Sequence, residues 1–164
     1  MVWTFPNILS LARILIIPVL VYLLTFPDRR SSLLAAALFL LASLTDYFDG
    51  YLARRNKSIS DIGKILDPLA DKLMVGSVLI MLAAIDRPHE PNVPAWLVVV
   101  ILARETAVTV IRGIALTEGI VMHAETLGKY KSILQVFAIV GLLVHYRHLG
   151  LDFYAAGMYF LVLS

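Results

Sequence analysis

Four aspartates stand where an apolar sequence would ordinarily exclude charge. Asp46 and Asp49 lie three residues apart, and Asp67 and Asp71 four apart. Helical spacing of three or four puts the members of each pair on one face. Asp46 comes 14 residues after Ser32, which opens an apolar run, and that is about 21 Å along a helix. An Asp at the centre of a membrane helix costs roughly 2.5–3.5 kcal/mol, so carboxylates held in that setting call for a use. The short connection between the two runs predicts adjacent antiparallel helices whose carboxylate pairs face each other. Four anions so close repel and lose hydration. Protonation relieves this, and so do divalent cations. Oxygen donors alone suit Mg2+ or Mn2+ better than zinc. The chain has no cysteine, which removes thiolate ligands, thiol nucleophiles and disulfides.

Small residues accompany the acids. Gly50 and Ala53 line the same stretch, and Gly63 lies one turn before Asp67, leaving room for a planar or bulky group. Arg54 adds a cation suited to phosphate. The whole pattern reads Asp46-x-x-Asp49-Gly50-x-x-Ala53-Arg54, eight residues, then Gly63-x-x-x-Asp67-x-x-x-Asp71. It resembles the signature of the CDP-alcohol phosphatidyltransferase family at every one of its eight positions and in the gap length. Shorter stretches resemble the bacterial branch of that family that accepts glycerol 3-phosphate: Asn7 to Arg13 with Pro18, Asp67 to Lys72, Ala103 to Thr106, and Gly128 to Ser132. Ser10 and Ser132 stand where that branch often has Thr, so a hydroxyl is kept.

The resemblance implies six transmembrane helices, a site open to the cytoplasmic leaflet, two divalent ions and a homodimer. By position, Asp46, Asp49, Asp67 and Asp71 would hold the metals, while Gly50, Ala53, Arg54 and Gly63 would contact the CDP moiety. Asp71 would also be the general base. The donor implied is CDP-diacylglycerol, the acceptor glycerol 3-phosphate, and the products phosphatidylglycerol phosphate and CMP. Acceptors such as phosphatidylglycerol, inositol phosphate or serine stay open within the family. A membrane cation transporter also explains intramembrane acids, but not Gly50, Ala53, Arg54 and Gly63 at these spacings. A non-catalytic scaffold leaves the acids without a reason.

A second set of charges is basic. Arg104, Val108 and Arg112 repeat at four, and Lys129 and Lys131 open a later run. If helices alternate in direction, Arg112, Lys129 and Lys131 approach the side where the acids lie. They read as a pocket for the acceptor phosphate, or as side chains snorkelling to the interface. Arg104 and Glu105 lie deeper and neutralise charge within the bundle, with Arg104 kept as a secondary site candidate beside Asn7 and Arg13. Arg13 is placed to reach the diphosphate or lipid headgroups. Lys72 pairs with a motif acid or snorkels. His89, His123, His145 and His148 read as interfacial, and no two of them make a metal site. Trp3, Trp96 and Tyr146 read as interface anchors.

The elements that must hold these groups follow from hydropathy. Of 164 residues 60% are hydrophobic, and the mean hydropathy is +0.84, well above the roughly 45–50% apolar content of soluble domains. The excess falls in six runs: Ile8–Phe26, Ser32–Ala53, Gly63–Ile85, Pro94–Leu116, Leu127–Tyr146 and the shorter Leu149–Leu163. Most approach the roughly 20 residues a bilayer requires. Short connections and the lack of a linker predict a single domain over 1–164, an all-α membrane bundle of six spans. Met1 to Pro6 carries no Lys or Arg, unlike a cleaved signal, so the first run is expected to be retained. Arg54, Arg55, Lys57, Lys64, Lys129 and Lys131 gather on one side against Arg29, Arg30, Arg87 and Arg147 on the other. That bias places the first group, both termini and the acids on the cytoplasmic side of a bacterial inner membrane. A net charge of +2 with scattered basic residues gives no nucleic-acid footprint.

Overall fold

The computed structural model contains six α-helices: α1 (Phe5–Thr25), α2 (Arg29–Asn56), α3 (Asp61–Ala84), α4 (Ala95–Thr117), α5 (Thr126–Val144) and α6 (Phe153–Leu163). The structure describes the backbone at 5–26, 28–56, 61–85, 92–118, 126–144 and 152–164, and side chains at 9–26, 28–45, 68–85, 92–115, 118, 130–144 and 152–164. All described secondary structure is helical, and each of the six apolar runs corresponds to one helix.

Helix ends follow local chemistry. Asp28 caps α2: its Oδ2 accepts from the backbone N–H groups of Arg30 and Ser31, both at 3.1 Å. Asp152 caps α6, accepting from the Ala155 N–H at 3.0 Å. Both satisfy donors that a helix start leaves without partners. Pro68 lies inside α3 between Asp67 and Asp71, and has no N–H for the carbonyl four residues earlier.

Helix α1 is the central element, packed on both α2 and α3. Helix α2 also meets α5, and α5 pairs with α6. The expected α2–α3 seam at the acids falls outside the described side chains; among the described residues the two acid-bearing helices share α1 as a common neighbour. The core is built from Leu20 of α1, Phe39 of α2, Met74, Leu79 and Leu82 of α3, Ile139, Leu142 and Leu143 of α5, and Leu161 of α6. At the α5–α6 crossing, a Cβ on Gly157 would stand 2.9 Å from the Ala138 carbonyl oxygen, and one on Gly141 would stand 3.2 Å from Gly157 Cα. Only glycine allows that approach.

Helices α3 and α4 run antiparallel, since Lys72 meets Glu105, Gly76 meets Leu102, and the Val93 N–H donates to the Leu82 carbonyl. Helix α6 runs along α4 in the same direction: Tyr154 Oη donates to the Asn92 carbonyl near its start, and Arg104 reaches the Ser164 carbonyl at its end. Most of α4 is exposed, including Trp96, Val99, Val100, Val108, Val110, Ile111 and Ile114. Large apolar side chains are also exposed on α1, including Leu15, Val19 and Tyr22, and on α2, including Leu34 and Leu41. Among the described residues no helix is long and apolar enough to cross a membrane.

Candidate active site

The acidic motif occupies the C-terminal end of α2 and the N-terminal end of α3. Helical backbone runs unbroken through Asp46, Asp49, Gly50, Ala53 and Arg54, and again through Gly63, Asp67 and Asp71. The spacings therefore act as helical spacings, and each pair of acids shares a face. The side chains of Asp46, Asp49, Gly50, Ala53, Arg54, Gly63 and Asp67 lie outside the described residues, as do those of Asn7 and Lys129. Asp71 is described, and it is half-buried on α3. Among the described residues, which take in Asp71 but not its three motif partners, there is no cluster of three or more metal-ligating side chains. The donor set that the motif offers is four carboxylates and no sulfur, which fits a hard divalent cation.

At Lys72, the residue after Asp71, three helices come together on a single residue. Glu105 of α4 accepts from Lys131 Nζ of α5 through its Oε1 at 2.9 Å, with Lys131 24% and Glu105 10% exposed. Its backbone carbonyl accepts from Lys72 Nζ of α3 at 3.3 Å and from Thr109 Oγ1 at 2.7 Å. The charges that act on the Lys72 ammonium are Glu105, Lys131, Arg112 and Asp71. The catalytic candidate Asp71 thus shares a neighbourhood with two of the three residues expected to hold an acceptor phosphate. Among the described residues, Lys72, Arg112 and Lys131 are the cations of this group, and Glu105 and Asp71 its carboxylates.

Arg112 lies seven residues after Glu105, about two turns along α4, and is exposed. Arg104, a secondary candidate, turns elsewhere and donates to the Ser164 carbonyl, so its role in the structure is to tie α4 to the end of α6. Arg13 was expected to reach diphosphate or headgroups. It is 4% exposed, enclosed by the helices that flank α1 on both sides. Lys72 and Glu105 are the functional candidates that spacing undervalued. Their sequence signal was position: Lys72 follows Asp71 directly, and Glu105 precedes Arg112 by two turns on one face.

Comparison with known proteins agrees with this geometry. The CDP-alcohol phosphatidyltransferase family model matches residues 3–163, and the chain belongs to that family. Among its relatives, a Bacillus subtilis (strain 168) protein named CDP-diacylglycerol–glycerol-3-phosphate 3-phosphatidyltransferase is 41% identical over 152 residues, covering 85% of this chain and 76% of that protein. A Rickettsia typhi protein of the same name is 42% identical over 134 residues, covering 82% of this chain and 72% of its own length. One from Cereibacter sphaeroides is 37% identical over 141 residues, covering 84% and 62%.

Proposed function

We propose that this chain transfers the phosphatidyl group from CDP-diacylglycerol to glycerol 3-phosphate, giving phosphatidylglycerol phosphate and CMP. The observation that carries the reading is the Lys131–Glu105 ion pair at 2.9 Å, with Lys72, the residue after Asp71, on the Glu105 carbonyl at 3.3 Å, in a chain whose relatives bear the names given above. A base for a hydroxyl and a seat for a phosphate are what glycerol 3-phosphate presents to be recognised.

Lys131 and Arg112, with Lys129, hold the acceptor phosphate through charge-assisted hydrogen bonds. Asp71 takes the proton from the acceptor hydroxyl. That oxygen attacks the phosphorus attached to diacylglycerol, the bond from phosphorus to the CMP oxygen breaks, and CMP leaves. Gly50, Ala53 and Gly63 leave space for the CDP moiety, and Arg54 meets its phosphates. Asp46, Asp49, Asp67 and Asp71 would hold divalent cations, Mg2+ or Mn2+, which would neutralise the diphosphate charge. Most of the acceleration then comes from positioning and electrostatics, as in phosphoryl transfer generally.

The setting is a lipid bilayer, with six membrane helices in a single domain. Leu15, Tyr22, Trp96 and Val99 are each more than 60% exposed, and so much outward apolar surface needs an apolar surrounding. Helix hydroxyls bond backwards to their own helix: Thr25 to Val21, Ser43 to Phe39, Thr45 to Leu41 and Ser77 to Leu73. This internal satisfaction is what a medium without water demands. The bundle keeps charges among its own helices at Glu105. Acyl chains of the donor then stay in the inner leaflet while its headgroup reaches a site facing the cytoplasm. The exposed face of α4 is where a second copy would pack in a homodimer.

The test is an acceptor panel with purified protein, CDP-diacylglycerol and a divalent salt. Glycerol 3-phosphate is expected to support CMP release, with phosphatidylglycerol, inositol phosphate and serine far behind. Faster turnover with any of those three would overturn the acceptor assignment.

A further inference from the structure

We infer that Glu105 is a positioning residue of the acceptor site, fixing the ammonium of Lys131 so that its remaining donors meet the acceptor phosphate; the inference rests on the acceptor reading above. A carboxylate in an anion pocket weakens the field there, so its presence calls for a reason. An ammonium carries three donors on a long flexible stem. Glu105 Oε1 takes one of them at 2.9 Å, which holds the stem in one orientation and leaves two for a ligand.

The same residue sets the depth of Lys72, but through its backbone carbonyl, so changing the side chain of Glu105 leaves that bond in place. Thr109 donates to the same carbonyl, and Arg112 stands one turn further along α4. Glu105 therefore fixes Lys131 of α5 against α4, on the helix face that carries Arg112 two turns further on. Its 10% exposure encloses the pair, and a ligand approaching Lys131 meets an ammonium already oriented. The chemical class recognised is a phosphomonoester carried on a small alcohol.

A plain structural ion pair between α4 and α5 makes different demands on the data, and a double-mutant cycle separates the two. Glu105→Gln keeps shape and removes charge; it is expected to raise KM for glycerol 3-phosphate about tenfold while KM for CDP-diacylglycerol stays within about twofold. Glu105→Asp keeps the charge on a shorter arm and is expected to fall between wild type and Glu105→Gln. Lys131→Ala leaves an uncompensated carboxylate facing the phosphate, so adding Glu105→Gln to Lys131→Ala is expected to lower KM for glycerol 3-phosphate. That reversal of sign does not depend on how well the Glu105→Gln single variant folds. Independent, multiplying effects in the double variant, or equal effects on both KM values, would overturn the assignment of Glu105. Lack of wild-type turnover with glycerol 3-phosphate would instead overturn the acceptor reading on which it rests.

Discussion

Replacing Asp71 by Asn removes a negative charge and a proton acceptor while keeping the shape of the side chain. If Asp71 takes the acceptor proton, turnover should fall roughly a hundredfold or more in protein that remains folded. Asp46→Asn, Asp49→Asn and Asp67→Asn should each abolish divalent-dependent CMP release, and near-normal rates in any of them would remove that residue from the site. Arg112→Ala and Lys131→Ala each lose a charge-assisted bond, about 1.5–3 kcal/mol or roughly ten- to a hundredfold, read as a rise in KM for glycerol 3-phosphate with little change for CDP-diacylglycerol. The acidic motif stands out in the sequence because carboxylates in apolar helices are costly and their spacing is local, while the side chains of Asp46, Asp49 and Asp67 lie outside the described residues. The meeting of Lys72, Glu105 and Lys131 does not stand out there, since it depends on the register of α3, α4 and α5 against one another, which no spacing within one helix contains. The burial of Arg13 has a related cause: its depth in the bundle follows from the central position of α1, not from its distance to a helix end.

Helices themselves were read closely from hydropathy, with ends displaced by a few residues where caps decide. Asp28 starts α2 ahead of the first apolar residue, and Phe153 begins α6 only after the Asp152 cap. The neighbour relations were less accessible: no spacing along a helix shows that α1 packs against both α2 and α3. At the α5–α6 crossing, Gly157→Ala would drive a methyl to 2.9 Å from backbone atoms of Ala138 and Leu142. Overpacking of that kind costs typically 1–3 kcal/mol (about that scale), so the melting temperature in detergent should drop. Gly113→Ala is the control, since nothing lies within 4 Å of its Cβ position and alanine favours helix by about 1 kcal/mol; it should be neutral or stabilising. The cap of α2 has a pH signature. Hydrogen bonds from the Ser31 side chain, then its backbone, hold the Asp28 carboxyl below its ordinary value. A depressed folded pKa means the cap is intact above the unfolded value and lost as pH falls through the folded one. Amide exchange at Arg30 and Ser31 should therefore stay slow through the ordinary carboxylate range and quicken only below it; quickening already within that range would contradict the assigned bonds.

Over the whole molecule, the charge bias across the helix ends predicts which side the site faces. The native chain has no cysteine, so Lys57→Cys supplies a single reporter in the basic connection after α2. It should resist an impermeant thiol reagent in intact cells and react once the membrane is opened; labelling from outside intact cells would show the opposite orientation. All-helical architecture, six elements and the enzyme family were all accessible from one sequence, because hydropathy and the acidic motif are both written locally. Helix packing order was not, because many arrangements bury the same apolar faces. The central claim is that the acids and the Glu105-centred cations form one site that joins a phosphatidyl group to glycerol 3-phosphate. The most direct measurement is the stoichiometry of purified protein supplied with CDP-diacylglycerol, labelled glycerol 3-phosphate and a divalent salt. The account predicts one phosphatidylglycerol phosphate carrying the label for each CMP released, both abolished by chelation and by Asp71→Asn. CMP released without label entering lipid, or label entering lipid undiminished in Asp71→Asn, would contradict it.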